Sequence, residues 1–276
     1  MNSSTLQSRL DAVRRLGNFD PAEVDAFGRF LATAPEKALF RTNPIRYAKK
    51  AGIDETRAID LFLYATHVGL VEMTWGVICG GCAGFLTTPE GLAALAADKT
   101  CAMCEVDVPG RLDENVEIAF TVSPSVRRLK FHDPGDLDLG RDGMFTYLST
   151  SVELSPEVQV GYRERLIEAR VLKPRESWII ESTHDVPRLA LLVPDFHAVT
   201  HMSIEEGGAS TAEIDVVSGR LVPEYQPVAK GRRTLRITNR TERAVPVGFL
   251  IDVAAKANRP ACPIAADVPH FRIGPH

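Results

Sequence analysis

No run of apolar residues in this chain approaches the roughly 20 that a membrane-spanning helix needs, so no transmembrane segment is expected. The stretch from Met1 to Arg15 has charges spaced through it and no apolar core of the kind a signal peptide carries. Positive charge is not in excess: 32 Lys and Arg stand against 36 Asp and Glu, a net of -4. That balance argues against broad attraction to nucleic acid or an anionic membrane surface. There is no internal repeat and no low-complexity tract. No serine sits in a Gly-x-Ser-x-Gly elbow, and no glycine-rich loop suits a phosphate. Cysteine is scarce too, five in 276 residues, but four of the five fall in two close pairs. That usage fits bound metal in a reducing compartment better than a disulfide framework, so a cytoplasmic protein is expected.

What is present is ordinary globular material, 45% hydrophobic and 25% charged, long enough for two or three packed units. The first third reads as helix. Leu6, Leu10, Val13 and Leu16 recur at helical spacing up to Gly17-Asn18. Asp20-Pro21 opens a second helix with Glu23 completing a capping box, and Val24, Phe27, Phe30 and Leu31 form its buried stripe. Asn43-Pro44 caps a short helix, Gly52 turns the chain, and Asp54 caps a longer helix on which Ile59, Phe62, Leu63 and Thr66 share a face. Gly69 closes that helix and Leu70 to Val77 alternates as a strand. Helix, turn, helix, strand is the order of a winged helix-turn-helix.

From about Asn115 the signal has period two: Val116, Ile118 and Phe120; Leu189, Leu191 and Val193; Ile214 and Val216; Leu235 and Ile237. Turn clusters such as Glu206-Gly207-Gly208 separate the runs, as in an antiparallel sandwich or barrel. Only Ser155 to Arg170 has room there for a helical turn or two. Its arginines alternate with glutamates and read as a solvated face.

The most specific pattern joins the two halves: Cys79-Gly80-Gly81-Cys82, eighteen residues, then Cys101-Ala102-Met103-Cys104. Two residues between cysteines let both sulfurs of a turn face one ion, and glycine permits a tight backbone. Soft thiolates select zinc, with iron as the competing metal. Four cysteines leave no open position for water, so the expected zinc is structural, not catalytic. Thr88-Pro89-Glu90, between the pairs, can start a short helix carrying Leu92 and Leu95. Cys262 has no partner and reads as a plain thiol.

Two weaker constellations remain. A reading helix over 54–68 would carry Arg57 as its one strong cation against Asp54, Glu55 and Asp60. From Asn43 to Gly76 the charges sum to zero, which suits a protein contact better than DNA. His197 and His201 lie four apart and would share a face of a strand, with Asp195 or Glu205 near, so a second metal or ligand site is a rival reading.

The runs Asn43-Pro44-Ile45-Arg46-Tyr47-Ala48 and Leu61-Phe62-Leu63-Tyr64-Ala65-Thr66, followed by Gly69-Leu70, Trp75 and the four cysteines, carry a likeness over roughly Pro35 to Arg128. With Val116 to Phe120 and Pro124 to Arg127 they resemble an uncharacterised bacterial domain family found upstream of class III adenylate/guanylate cyclase catalytic domains. Arg236 to Thr241 looks like that family's late strand and turn, and Ala265 to Arg272 like its linker. The resemblance implies a regulatory or sensory segment, and no cyclase domain follows it in this chain.

The expected architecture is α+β: a helical, winged-helix-like module over 1–76, a four-cysteine zinc ribbon over 77–112, and a C-terminal antiparallel β-sandwich over 113–276. The expected function is a non-catalytic, zinc-binding regulatory or sensory protein that engages a protein partner, with nucleic acid and membrane not expected as partners. Two rivals compete with it: a winged-helix transcription regulator that binds DNA, and a small-ligand or metal-binding sandwich sensor or enzyme using His197 and His201.

Overall fold

In the computed structural model, residues 1–87, 99–108, 115–152 and 156–252 are described. The expected helix at Thr88 to Leu95, Cys262 and the segment Ala265 to Arg272 lie outside the described residues. Four of the five helices that open the chain begin at a side chain that satisfies their first amides. Helix α1 (Ser3–Leu16) is capped by Asn2. Helix α2 (Pro21–Thr33) has the Asp20/Glu23 capping box with Pro21 in its first turn. After the short α3 (Glu36–Leu39), Asn43 caps α4 (Pro44–Ala51), and Gly52, at φ 70°, ends it. Asp54 caps α5 (Glu55–His67).

These helices bury a cluster of rings. Phe62 lies 5.0 Å from Phe27 and 5.1 Å from Phe120, and Tyr47 packs edge-on against both Phe27 and Phe62. The buried face of α5 is Ala58, Leu61, Phe62 and Ala65. Leu63, expected on that face, is 45% exposed instead. A helix turns 100° per residue, so Leu61 and Phe62 fill the core-facing arc and Leu63, 200° from Leu61, falls outside it. Leu16 likewise sits outside the α1 stripe.

Strand β1 (Val71–Ile78) follows and pairs with β2 (Phe85–Thr87) on one side and β5 (Val116–Val122) on the other, both antiparallel. The short ribbon of β3 (Lys99–Cys101) and β4 (Val106–Val108) lies between them in sequence. The Val116, Ile118, Phe120 run therefore belongs with β1 in the front sheet and not with the C-terminal strands. Two more helices come next, α6 (Leu139–Tyr147) and α7 (Pro156–Arg165). The second falls inside the span where a helical turn was expected, and the first does not follow from the sequence pattern.

The remaining strands are β6 (Leu166–Leu172), β7 (Ser177–Ser182), β8 (Arg188–Val193), β9 (Ala198–Glu205), β10 (Thr211–Val217), β11 (Arg220–Val222), β12 (Val228–Ala229), β13 (Arg233–Asn239) and β14 (Val245–Ile251). They form a five-stranded sheet in the order β12-β9-β8-β14-β6 and a four-stranded sheet in the order β11-β10-β13-β7. Most neighbours run antiparallel, but β10–β13 and β9–β12 are parallel, so the purely antiparallel expectation is corrected. Leu189, Leu191, Ile214, Leu235 and Phe249, drawn from both sheets, share one buried cluster.

The two sheets differ on their other faces. Strand β7 alternates strictly between exposed and buried, as a strand wet on one side does. In β8 every residue after Arg188 is buried. Its second face, Ala190 and Leu192, packs with Tyr147, Leu148, Val199 and Leu250, against which Cys82, Ala102 and Met103 lie. The cysteine region therefore sits on the back of the five-stranded sheet. Among the described residues the protein is thus a mixed α+β fold of seven α-helices and four sheets.

Candidate metal centre

The two cysteine turns are built alike. Cys79 ends the β1 side of the front sheet, and Cys101 ends β3. In each turn the amide four residues on donates to the first cysteine's carbonyl: Ala83 to Cys79 and Glu105 to Cys101, both 2.7 Å. Ala83 and Glu105 both adopt left-handed backbone, at φ 58° and 54°. Such a conformation costs about 1 kcal/mol for a residue with a Cβ and persists where the surroundings fix it. Glycine was expected to supply the tight backbone, but its part here is steric. A Cβ on Gly81 would sit 3.0 Å from the Cys104 sulfur, and one on Gly84 would sit 3.1 Å from the Tyr147 ring.

The four expected ligands do come together. One sulfur from each of Cys79, Cys82, Cys101 and Cys104 lies within 4.8 Å of every other, with Cys82 and Cys101 only 3.5 Å apart. Tetrahedral coordination with metal–sulfur bonds of about 2.3 Å needs sulfurs roughly 3.8 Å apart, so the cluster fits a metal ion of that size. Cys79, Cys101 and Cys104 are buried, and Cys82 is partly exposed. Among the described residues this is the one group of three or more potential ligands close enough to hold a metal.

The thiols cannot all ionise by themselves. Hydrogen bonds from Cys101, Cys104 and Cys82 hold the Cys79 thiol far below its usual range, and the bond from Cys104 brings Cys101 to about 7. The contact with Cys101 pushes both Cys82 and Cys104 well up. Charge on one sulfur thus opposes charge on its neighbours, and a divalent cation would let all four act as thiolates.

The surroundings tie the cluster to the rest of the molecule. Tyr147, 2% exposed at the end of α6, brings its hydroxyl to 3.7 Å from the Cys101 sulfur. The Ser149 amide donates to the Ala83 carbonyl at 2.9 Å. From β9, His201 places Nε2 at 2.9 Å from the Ala102 carbonyl and Nδ1 at 2.8 Å from an Asp252 oxygen. Arg188 pairs with Asp252 at 2.8 Å and also with Glu105, the residue that ends the second cysteine turn.

His197 and His201 do not share the strand face that their spacing suggested. His197 precedes β9 and ends a short 3-10 turn at φ 51°, so the strand alternation that would align the two rings is absent. His197 is buried with its ring 4.5 Å from that of Tyr147, and neither nitrogen has a hydrogen-bond partner. Burial drives its pKa down to about 3. Tyr147, Asp252 and Arg188 carried no sequence signal, because each acts through contacts distant along the chain.

No curated protein and no solved structure matches this chain. A family profile does match it, over residues 3–253, which takes in the helices, the cysteine cluster and every described strand. The chain belongs to that family, a family of unknown function designated DUF5939.

Proposed function

We propose that this chain is a non-catalytic regulatory or sensory module in which a structural zinc ion, bound by Cys79, Cys82, Cys101 and Cys104, fixes a helical front against a β-sandwich back. The observation that carries the reading is the place of the four-sulfur cluster. It ends a strand of the front sheet, abuts Tyr147 of α6, and rests on the outer face of β8 and β9. Four thiolates favour zinc and leave it closed to substrate. Helices α4 and α5 with β1 make the winged-helix-like unit, to which β5 belongs through its pairing. Clustered thiols of this kind suit a reducing compartment, so the cytoplasm is the proposed location.

A protein partner is favoured over DNA by the state of Arg57. Its guanidinium is engaged by both Glu23 oxygens, at 2.9 and 2.5 Å, which occupies the one strong cation of α5. A role beside nucleotide cyclases rests on the sequence resemblance alone. The test is elemental analysis of protein purified without chelator, followed by gel filtration with a separately produced cyclase domain. One zinc per chain and co-elution are expected. No stoichiometric metal, or robust turnover of a small molecule by the lone chain, would overturn the reading.

A further inference from the structure

The two C-terminal sheets end in four edge strands, β12 and β6 on one and β11 and β7 on the other, and three of these are blunted. Strand β12 is two residues long and is bridged to Ala209 as well as to β9. Strand β11 is three residues long and runs directly into Pro223. Strand β6 exposes Glu168 and Arg170, and its register on β14 shifts between Glu168 and Leu166. Short strands, edge charges and bulges are the devices that keep a sheet edge from pairing with another chain.

Strand β7 is different. It is six residues long, contains no proline or lysine, and holds one register with β13 from end to end. Its single charge, Glu181, lies near an end and is paired with Arg232 at 2.6 Å. The Asn239 amide donates to the Glu176 carbonyl at 2.9 Å. Bonded pairs alternate along an antiparallel ladder. Trp178, Ile180 and Ser182 therefore bond to β13, and Ser177, Ile179 and Glu181 turn their amides and carbonyls outward. Among the described residues no strand pairs with that side. Ile179, in the middle of the row, is 52% exposed.

We propose that β7 is a dimerisation edge, pairing antiparallel with β7 of a second copy of this chain about a two-fold axis at Ile179 and joining the two four-stranded sheets into one. A two-fold axis sets residue i against j and j against i, so the edge must be complementary to itself. Centred on Ile179, the ladder sets Ile179 against Ile179 of the second copy and Ser177 against Glu181 of the second copy, where the hydroxyl can donate to the carboxylate. Cross-strand pairs of these kinds stabilise a ladder. The outward amides and carbonyls of Ser177, Ile179 and Glu181 all find partners in it. A ladder centred on Glu181 would instead oppose two carboxylates, so the side chains select the register. An unrelated extended peptide would meet the same backbone without this match of side chains, which favours a second copy as the occupant. The inference stands apart from zinc binding and from any cyclase partner.

Sedimentation equilibrium of the full chain, from about 1 to 100 µM and with its metal content measured, tests the proposal. A monomer–dimer equilibrium is expected within that range. Ile179→Lys puts a charge at the centre of the edge and is expected to weaken the dimer about tenfold or more. Ser177→Glu opposes it to Glu181 of the second copy and is expected to cost about tenfold, and adding Glu181→Lys should bring affinity back to within about threefold of the parent. Hydrogen exchange at the amides of Ser177, Ile179 and Glu181 should slow as the parent dimerises and stay fast in Ile179→Lys. All these positions are exposed, so metal content and helical signal should match the parent throughout. The proposal is overturned if the chain is monomeric across the range, if Ile179→Lys dimerises as tightly as the parent, or if Glu181→Lys fails to rescue Ser177→Glu. It is equally overturned if those amides gain protection only when a cyclase domain is added, which would make the edge a partner's site. Should Ile179→Lys fail to fold, Ser177→Glu and its rescue decide.

Discussion

The helical front and the cysteine region share β1, yet they are held together by different means. The front core gathers nineteen buried hydrophobic residues, including Phe62 with the rings of Phe27, Tyr47 and Phe120 each against it. The cysteine region has six, and three of those are the cysteines Cys79, Cys101 and Cys104. Aromatic burial contributes about 1.5–3 kcal/mol per large side chain and is spread over many contacts. Six residues at that rate offset little more than the ordering of β2, β3 and β4, at about 1–2 kcal/mol per residue, and leave nothing for the two cysteine turns. One region should therefore stand on packing and the other on a bound ion.

The sharpest way to break that contrast is Cys101→Ser. The lost sulfur comes from a fully buried residue, and apparent binding free energies of structural zinc sites run to about 10–16 kcal/mol. Metal content is expected to fall from one per chain to near zero. Hydrogen exchange should lose protection over residues 76–87 and 99–108 while α1, α2 and α5 keep theirs. If the helices lose protection equally, the two regions are not held separately and the contrast fails.

Next in size is Phe62→Ala, which empties a site touched by Phe27, Tyr47 and Phe120. Such truncations cost about 3–5 kcal/mol. A lowered denaturation midpoint is expected for the helical signal, with zinc still bound at one per chain below the transition. Loss of metal in the native baseline would mean that the aromatic core also supports the sulfur cluster.

The same contrast explains what the sequence revealed. Helix starts were legible at Asp20, Asn43 and Asp54 because each side chain bonds amides two or three residues away. The cysteine cluster was legible because two-residue spacing builds each half-site locally, and sulfur chemistry specifies what joins the halves. Helix α6 was hidden by Gly140 and Gly143, poor helix formers. Gly143 is required by packing, since a Cβ there would meet the Tyr162 hydroxyl at 2.3 Å. Alternation in Val116 to Phe120 showed a strand but not its partner, because period two is the same in any sheet. The histidine pair misled for a related reason: equal spacing implies a shared face only if the backbone stays extended, and at His197 it turns left-handed.

The smallest expected effect probes the seam between the cysteine turn and the back sheet. His201→Ala removes the donor to the Ala102 carbonyl and the partner of Asp252, both within a side-chain group only 8% exposed. Asp252 keeps its ion pair with Arg188, but the Ala102 carbonyl loses its partner, at about 1–3 kcal/mol. The cost falls on the turn that carries Cys101 and Cys104, so it should appear as metal loss to a chelator about tenfold faster, with metal stoichiometry and the denaturation of the helical front unchanged. His201→Gln, whose amide has one group able to donate to Ala102, should recover part of the difference. A chelation rate equal to the parent's in His201→Ala would show that the turn is ordered by its ion alone, and that β9 gives the cysteine region a surface to lie on without holding it.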